Sequence, residues 1–391
     1  MADLLRAGAA VVAHGGGPTP VINASLAGVI VGAREHFSQL YGARQGVEGL
    51  LAESFIDLLD QPADLVERIA LAPGSVLGSC RMTVKPEHYE RVLEVFRKRD
   101  VRWFFYNGGN GSMYLAQQVG LAARAAGYEL QVIGIPKTID NDIAETDHTP
   151  GYASCARFFA HAVRDIGADL RALRGRVTFV ETLGRNAGWI VAATALARCA
   201  EDDAPQLVYL PERPISEDQL CADVERVFSR LGWAVVAVCE GQVNDKGEPF
   251  GADQFAPDGF ARTLSGNLAH TLAQLVARRT GIRTRSEKPG LLGRSSVAYV
   301  TAMDRDEARL CGLAAVRAAV AGESGKMVTL IREPGQEYCV TTGLAPLEKV
   351  AYDERLLPES WIEPAGNGVV PAFLDWVRPL VGEVAPHARF A

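Results

Sequence analysis

The sequence predicts an α/β protein made of two parallel-sheet domains that share a cleft. Three observations carry this reading. Short apolar runs alternate with amphipathic stretches along the chain, the pattern of repeated βα units and a parallel sheet. The 391 residues exceed the usual size of one domain. Three glycine-rich turns, GGGPTP (15–20), GGNGS (108–112) and LGRNAG (183–188), each follow an apolar run and open a helical stretch.

The elements follow in order. AAVVA (9–13) is the first strand: MADLLRAGAAVVA (1–13) could pass for a short signal segment, but it runs straight into a glycine cluster and carries Asp3. A helix over 23–35 follows. EHYERVLEVFRKR (87–99) places Tyr89, Val92, Leu93 and Phe96 on one face with charges opposite, a helix with a core-facing stripe. VRWFFY (101–106) then reads as a strand, 112–126 as a helix and LQVIGI (130–135) as a strand. The same alternation gives a helix over 154–170, a strand over 177–182, a helix over 187–199 and a strand over 206–210. A helix over 216–231, a strand over 234–239, helices over 260–279 and 304–321 and a strand over 326–331 complete the series. NDIAETDHTPG after residue 142 and SEKPGLLGRS (286–295) are the boundary signals. They suggest interleaved domains, 1–150 plus about 295–345 and 151–294 plus about 346–391. Residues beyond about 340 are assigned only to the closing part of the fold.

Composition excludes several classes. With 40 basic and 47 acidic residues, a net charge of -7 and no run of five like charges, a nucleic-acid or anionic-membrane surface is not expected. Seven scattered cysteines, never spaced CxxC, indicate neither a disulfide framework nor a zinc site, which fits a reducing cytoplasm. No apolar run approaches the ~20 residues that span a bilayer.

The glycine-rich turns direct the chemistry. At the carboxyl ends of parallel strands, helix N-termini offer unpaired N–H groups to an anion, and the three turns together point to a phosphorylated ligand. None matches the P-loop pattern, and no GxGxxG follows the first strand. The stretch KTIDND (137–142) sets Asp140 and Asp142 two positions apart behind Lys137. Asp140 could accept the proton of a sugar hydroxyl as its oxygen attacks phosphorus. Asp142 could hold an acceptor hydroxyl or a metal-bound water, and Lys137 could neutralise the transferred phosphoryl group. The plain alternative is an exposed turn after a strand.

GGGPTPVINASL, LLGSCR, FFYNGGNGS, PKTIDND, ETLGRNAGW, the glutamate of VVAVCEG and LLGRSS stand in an order and spacing that resembles the phosphofructokinase family, over about residues 9 to 310. The pyrophosphate-dependent 6-phosphofructokinases are the branch it resembles most. The resemblance implies two doubly wound parallel-sheet domains, a phosphoryl-donor domain and a sugar-phosphate domain, with the active site in the cleft between them. It implies phosphoryl transfer to the 1-hydroxyl of fructose 6-phosphate, with Mg²⁺, in glycolysis, by a homodimer or homotetramer. By position, Gly17, Arg81, Asn110, Gly111 and Ser112 would bind the donor. Asp140 would be the base, with Lys137 and Thr138 catalytic beside it. Thr138, Ile139, Asp140, Asp142, Leu183, Gly184, Arg185, Glu240 and Arg294 would bind the sugar phosphate. Arg176 and Arg285 resemble arginines that reach a neighbouring subunit's site. For each arginine a solvated surface charge is the alternative, above all for Arg176 in RALRGR. Asn110 and Asp140 are the candidate metal ligands.

Three positions depart from the family pattern. Lys137 is typical of pyrophosphate-dependent members, yet Gly111 stands where that branch carries an aspartate that blocks the α-phosphate of ATP. Asn110 replaces a metal-binding aspartate. Leu291 replaces a histidine that contacts the sugar phosphate. Pyrophosphate acting on fructose 6-phosphate is therefore the leading expectation. The alternatives are ATP as donor, another ketose phosphate such as sedoheptulose 7-phosphate as acceptor, and a non-catalytic sugar-phosphate-binding member.

Overall fold

The computed structural model describes residues 8–250, 266–335 and 337–390. Residues 260–265 of the helix expected over 260–279 lie outside these; the helix runs Leu268–Thr280. Among the described residues the strands are β1 (Ala9–His14), β2 (Leu40–Ala43), β3 (Phe55–Asp57), β4 (Val101–Gly108), β5 (Gln131–Pro136), β6 (Arg176–Thr182), β7 (Leu207–Tyr209), β8 (Trp233–Cys239), β9 (Thr284–Glu287), β10 (Lys326–Arg332) and β11 (Val340–Pro346). The chain divides into two compact units, Met1–Tyr152 with Ala302–Arg355, and Ala153–Thr301 with Leu356–Ala391.

In the first unit the strand order is β11-β10-β5-β4-β1-β2-β3. The five strands from β10 to β2 are mutually parallel, whereas β11 and β3 run antiparallel at the two edges. Every residue of β1 is buried, as expected of a central parallel strand covered on both faces. From β1 the chain moves one way to β2 and β3, then returns to the other side of β1 with β4 and β5. This reversal puts the turns after β1 and β4 on either side of a topological switch point, where open α/β sheets bind ligands.

The helix Ile22–Ala33, apolar nearly all round, is buried along most of its length and packs on the helix Ala302–Val320. Glycines set how close these helices come. A Cβ on Gly28 would stand 2.2 Å from the Arg309 carbonyl oxygen, and one on Gly312 would stand 2.1 Å from that of Ser25.

In the second unit four parallel strands take the order β7-β8-β6-β9. Here too the order reverses beside the first strand, β6, so its carboxyl-end turn lies next to that of β8. The stretch expected as one helix over 187–199 is divided into an α-helix at Trp189–Ala193 and a 3₁₀ turn at Thr194–Ala197. The Thr194 hydroxyl bonds back to the Val191 carbonyl there, the side-chain-to-backbone competition that tightens helix ends. Among the described residues no helix is long and apolar enough to cross a membrane.

The helix–helix approach at Gly28 gives a direct check. Gly28→Val should lower unfolding stability by about 1–3 kcal/mol through overpacking. An unchanged urea midpoint would contradict the close packing of these two helices.

Candidate active site

β1, β4 and β5 are parallel neighbours, with His14 in register with Asn107 and Gly108 with Pro136, so the turns that follow them meet. Lys137 joins two of them. It is 3 % exposed, and its Nζ donates to the carbonyl oxygens of Gly15 at 2.9 Å and Gly17 at 2.7 Å. The glycines are required by space. A Cβ on Gly15 or Gly108 would come within 2.3 or 2.0 Å of the buried Ser112 hydroxyl, which is wedged between the two turns. Cys80 pairs with Gly15 as an isolated bridge, and the Gly16 N–H donates to the Cys80 carbonyl at 3.1 Å. Arg81 therefore emerges, exposed, beside the first glycine turn.

His14 was not singled out in the sequence, where it falls just after the strand expected over 9–13; it is the last residue of β1. It is fully buried, and burial first and the Lys137 charge second push its pKa down to about 3. Its Nδ1 lies 2.7 Å from the Ser75 hydroxyl. The ring is thus neutral and leaves the positive charge beneath the turn to Lys137.

The aspartate loop is braced along its length. Thr138 bridges Gly151, and its hydroxyl accepts the Asp140 N–H at 3.0 Å. Asn141 adopts φ 55, a left-handed conformation that asparagine tolerates better than most residues. Its buried Oδ1 accepts the Thr149 N–H at 3.0 Å, while the Thr149 hydroxyl donates to the Thr138 carbonyl at 2.8 Å. Ile139 is core, 8 % exposed. The Arg355 N–H donates to the Asp142 carbonyl at 2.8 Å, and the Arg355 guanidinium bonds the carbonyls of Thr146 and Asp147.

Asn110 meets this loop from the start of the helix Asn110–Ala125, donating to the Asp142 carbonyl at 3.1 Å and to its Oδ2 at 3.2 Å. The Asp142 carboxyl is held well above the usual carboxylate range, by burial first and by the charge of Asp140 second. Its Oδ1 and the Oδ1 of Asn110 are buried without a hydrogen-bond partner. Two unsatisfied oxygens, one of a carboxyl and one of an amide, suit a hard cation whose other ligands come from phosphate and water. Among the described residues no group of three or more His, Cys, Asp or Glu side chains could hold a metal. Gly111 is exposed, and a Cβ there would meet no atom within 4 Å.

In the second unit the turn after β6 carries Leu183, Gly184 and Arg185. Gly184 has φ 135, and Arg185, a non-glycine at φ 48, holds an uncommon conformation of the kind that clusters at functional sites. Glu240 follows β8, its N–H donating to the Thr182 carbonyl at 3.1 Å, and its carboxylate accepts the backbone N–H of Arg185. A Cβ on Gly241 would stand 1.5 Å from the Arg185 carbonyl oxygen, so only glycine lets these turns cross. Burial, and then the charge of Glu181, raise the pKa of Glu240. Glu181, itself buried, pairs with Lys288 at 2.7 Å and caps the helix Leu268–Thr280 through the Ala269 N–H at 2.9 Å.

Arg294 lies on the short helix Leu292–Ser295, where Gly293 packs on the ring of Phe159. Leu291, just before it, is 63 % exposed. Arg176 and Arg285 are not brought to the Arg185–Glu240 cluster. Arg176 opens β6, the far end of that strand from residue 183, and Arg285 is in register with Thr178.

A phosphofructokinase family model matches residues 9–319. A pyrophosphate–fructose 6-phosphate 1-phosphotransferase of Rhodospirillum rubrum is 40% identical over 390 residues, covering 97% of this chain and 96% of that one. One from Xanthomonas campestris pv. campestris is 39% identical over 385 residues, covering 96% and 92%. The crystal structure of a pyrophosphate-dependent phosphofructokinase from Nitrosospira multiformis is similar at TM-score 0.88 and 32% identity, over 98% of this chain and 94% of that one.

Glu240 offers a stability test. A carboxyl whose folded pKa is raised opposes folding once pH rises through that value, and the cost fades below it. Glu240→Gln keeps an acceptor for the Arg185 N–H and removes the charge. Its melting temperature at pH 7.5 should rise by about 1–3 °C, with the gain shrinking towards pH 5. A loss of stability, or a gain that ignores pH, would contradict a strained carboxylate.

Proposed function

The chain belongs to the phosphofructokinase family, and from that premise we propose that it transfers a phosphoryl group from pyrophosphate to the 1-hydroxyl of fructose 6-phosphate, giving fructose 1,6-bisphosphate and orthophosphate. The observation that carries this reading is the junction of three turns around Lys137, together with full-length relatives of that name.

Pyrophosphate occupies the turns after β1 and β4, near Gly17, Asn110, Gly111 and Ser112, with Arg81 at the rim. In the second unit Leu183, Gly184, Arg185, Glu240 and Arg294 are the residues for the sugar phosphate; in the first, Thr138, Ile139, Asp140 and Asp142 are those for the reacting hydroxyl. Asp140 takes the proton from the 1-hydroxyl as its oxygen bonds to phosphorus, and the bond from that phosphorus to the leaving phosphate breaks. Lys137 sets a buried positive charge beneath the donor, where a preorganised charge counts most. Thr138 keeps Asp140 in place by accepting its N–H. Asp142 and Asn110, with Asp140 nearby, would hold Mg²⁺, which offsets charge between the donor oxygens when bound.

Arg176 and Arg285, set apart from the sugar-binding turn of their own chain, suit a role at a neighbouring subunit's site and hence a homodimer or homotetramer. The cysteines, all free among the described residues, are compatible with a glycolytic enzyme of the reducing cytoplasm.

Gly111 favours a second donor reading. The open space beside it leaves room for ATP, so the preference for pyrophosphate rests on Lys137 and the relatives. Parallel assays with fructose 6-phosphate, Mg²⁺ and either donor decide between them: turnover with ATP and none with pyrophosphate sinks the leading assignment. In the assay that works, Asp140→Asn should lower kcat by roughly 10²–10⁴-fold with each KM within about threefold. Retention of wild-type kcat would remove Asp140 from the role of base.

A further inference from the structure

His148 lies six residues beyond Asp142, in a stretch that the sequence marked only as a boundary. It is fully buried. Its Nδ1 is 2.8 Å from Asp147 Oδ2 and its Nε2 is 2.7 Å from Glu307 Oε2. A neutral imidazole carries one N–H, so one of its nitrogens would present a lone pair to a carboxylate oxygen. Only the imidazolium donates to both.

Resting on the reading of Asp140 as base, we propose that His148 is a positioning residue: its imidazolium, held between Asp147 and Glu307, clamps the segment Thr138–Gly151 to the helix Ala302–Val320.

The segment is built so that the clamp reaches Asp140. His148 precedes Thr149, whose N–H and hydroxyl bond the Asn141 side chain and the Thr138 carbonyl, the two residues that bracket Ile139 and Asp140. Beyond it the Gly151 N–H donates to Asp304 at 2.7 Å, one turn before Glu307 on the same helix. On the other side the Asp147 N–H donates to the Leu330 carbonyl at 2.9 Å, and the Leu330 N–H donates to the Thr146 hydroxyl at 2.9 Å, tying the segment to β10. With the ring neutral, Glu307 would keep its buried charge and lose its cation, the arrangement that makes broken buried pairs costly.

The charged and titratable groups around the ring are Asp147 on its own segment, Glu307 on the helix, and Arg332 and Tyr338 from the β10–β11 side. The Tyr338 hydroxyl donates to Glu307 Oε1 at 2.5 Å and lies 3.4 Å from the His148 Nε2. Arg332 bonds Asp147 Oδ2 at 3.0 Å and stands 5.0 Å over the Tyr338 ring. Asp304 and Cys311 lie close to Glu307 on the helix. Burial alone pulls the His148 pKa down, but the bonds to Asp147 and Glu307 and their charges outweigh it, and the net direction is up. The clamp is therefore complete below about pH 6.5, the unfolded histidine value, and is lost as pH rises through the higher folded value.

The test uses the intact enzyme labelled with ¹⁵N-histidine, as wild type and as Glu307→Gln, which preserves shape and removes one counter-charge. In the wild type both His148 nitrogens should be protonated at pH 7, and kcat should fall on the alkaline side along the same titration. In Glu307→Gln that fall should move at least one pH unit lower, with KM for fructose 6-phosphate within threefold and melting at pH 6 little changed. A neutral His148 at pH 7 in the wild type, or an alkaline limb unmoved by Glu307→Gln, overturns the proposal. The ¹⁵N titration judges the imidazolium separately from the reaction, so a wild type that turns over neither donor counts against the reading of Asp140 alone. His148→Phe is an added comparison: unfolding there with an intact Glu307→Gln enzyme of unaltered pH profile makes the histidine merely structural and overturns its positioning role.

Discussion

The first unit depends on one buried cation. Lys137 sits at the end of a central strand, out of water, where an ammonium group is stable only if its hydrogen bonds are supplied by the protein. The carbonyls of Gly15 and Gly17 supply two of them, and that demand shapes everything nearby. The turn after β1 must approach the end of β5, so Gly15 must lack a side chain, because Ser112 and Tyr106 fill the space a Cβ would take. The same charge helps keep His14 neutral, so the two basic groups under the turn do not compete. On the proposed reading, a cation placed in this way would lie beneath the donor, with little to reorganise when charge moves to the leaving phosphate.

Both units keep a carboxyl at an elevated pKa, and by similar means. Asp142 stands beside Asp140 and Glu240 beside Glu181, each partly buried. In each pair burial is the larger cause and the neighbouring like charge the second. Such pairs oppose folding at neutral pH, and they persist because backbone donors fix them: the Arg355 N–H on the Asp142 carbonyl, and the Arg185 N–H on Glu240. On the proposed reading both strained carboxyls belong to the machinery, which fits the tendency of perturbed groups to collect at functional sites. Glu181 has a compensation of its own, an ion pair with Lys288 and a helix cap.

Much of this was legible in the sequence where the signal is local. The buried central strands β1, β4, β5, β6 and β8 each centre on a short run rich in apolar residues, and each is found within a residue or two of its expected span. β2, β3, β9 and β11 escaped because they are short or lie towards the edges: TRSE has no apolar alternation at all, and VTTGLAP is largely uncovered. Edge strands hold their place through backbone pairing, which leaves little mark on side-chain pattern. In the site, KTIDND and the glycine turns announced themselves by spacing. His14, His148, Glu307 and Arg355 did not, because their partners are remote in the chain: Glu307 meets His148 across 159 positions. NDIAETDHTPG looked like a domain boundary since it has neither helical nor strand period. Its order comes instead from side chains reaching it from Ala302–Val320, β10 and Arg355.

The missing carboxylates at 110 and 111 acquire a physical sense from this arrangement. Asn110 spends its amide N–H groups on Asp142, whereas an aspartate has no N–H to donate and would bring a third negative charge beside Asp140 and Asp142. With the pKa of Asp142 already raised by burial and then by the charge of Asp140, a third carboxylate would push one of them to take a proton or require a tightly bound cation at all times. The neutral amide relieves that repulsion while its own Oδ1 stays available as a ligand. On the proposed reading, a cation held there would take its remaining ligands from the donor's phosphate oxygens and water.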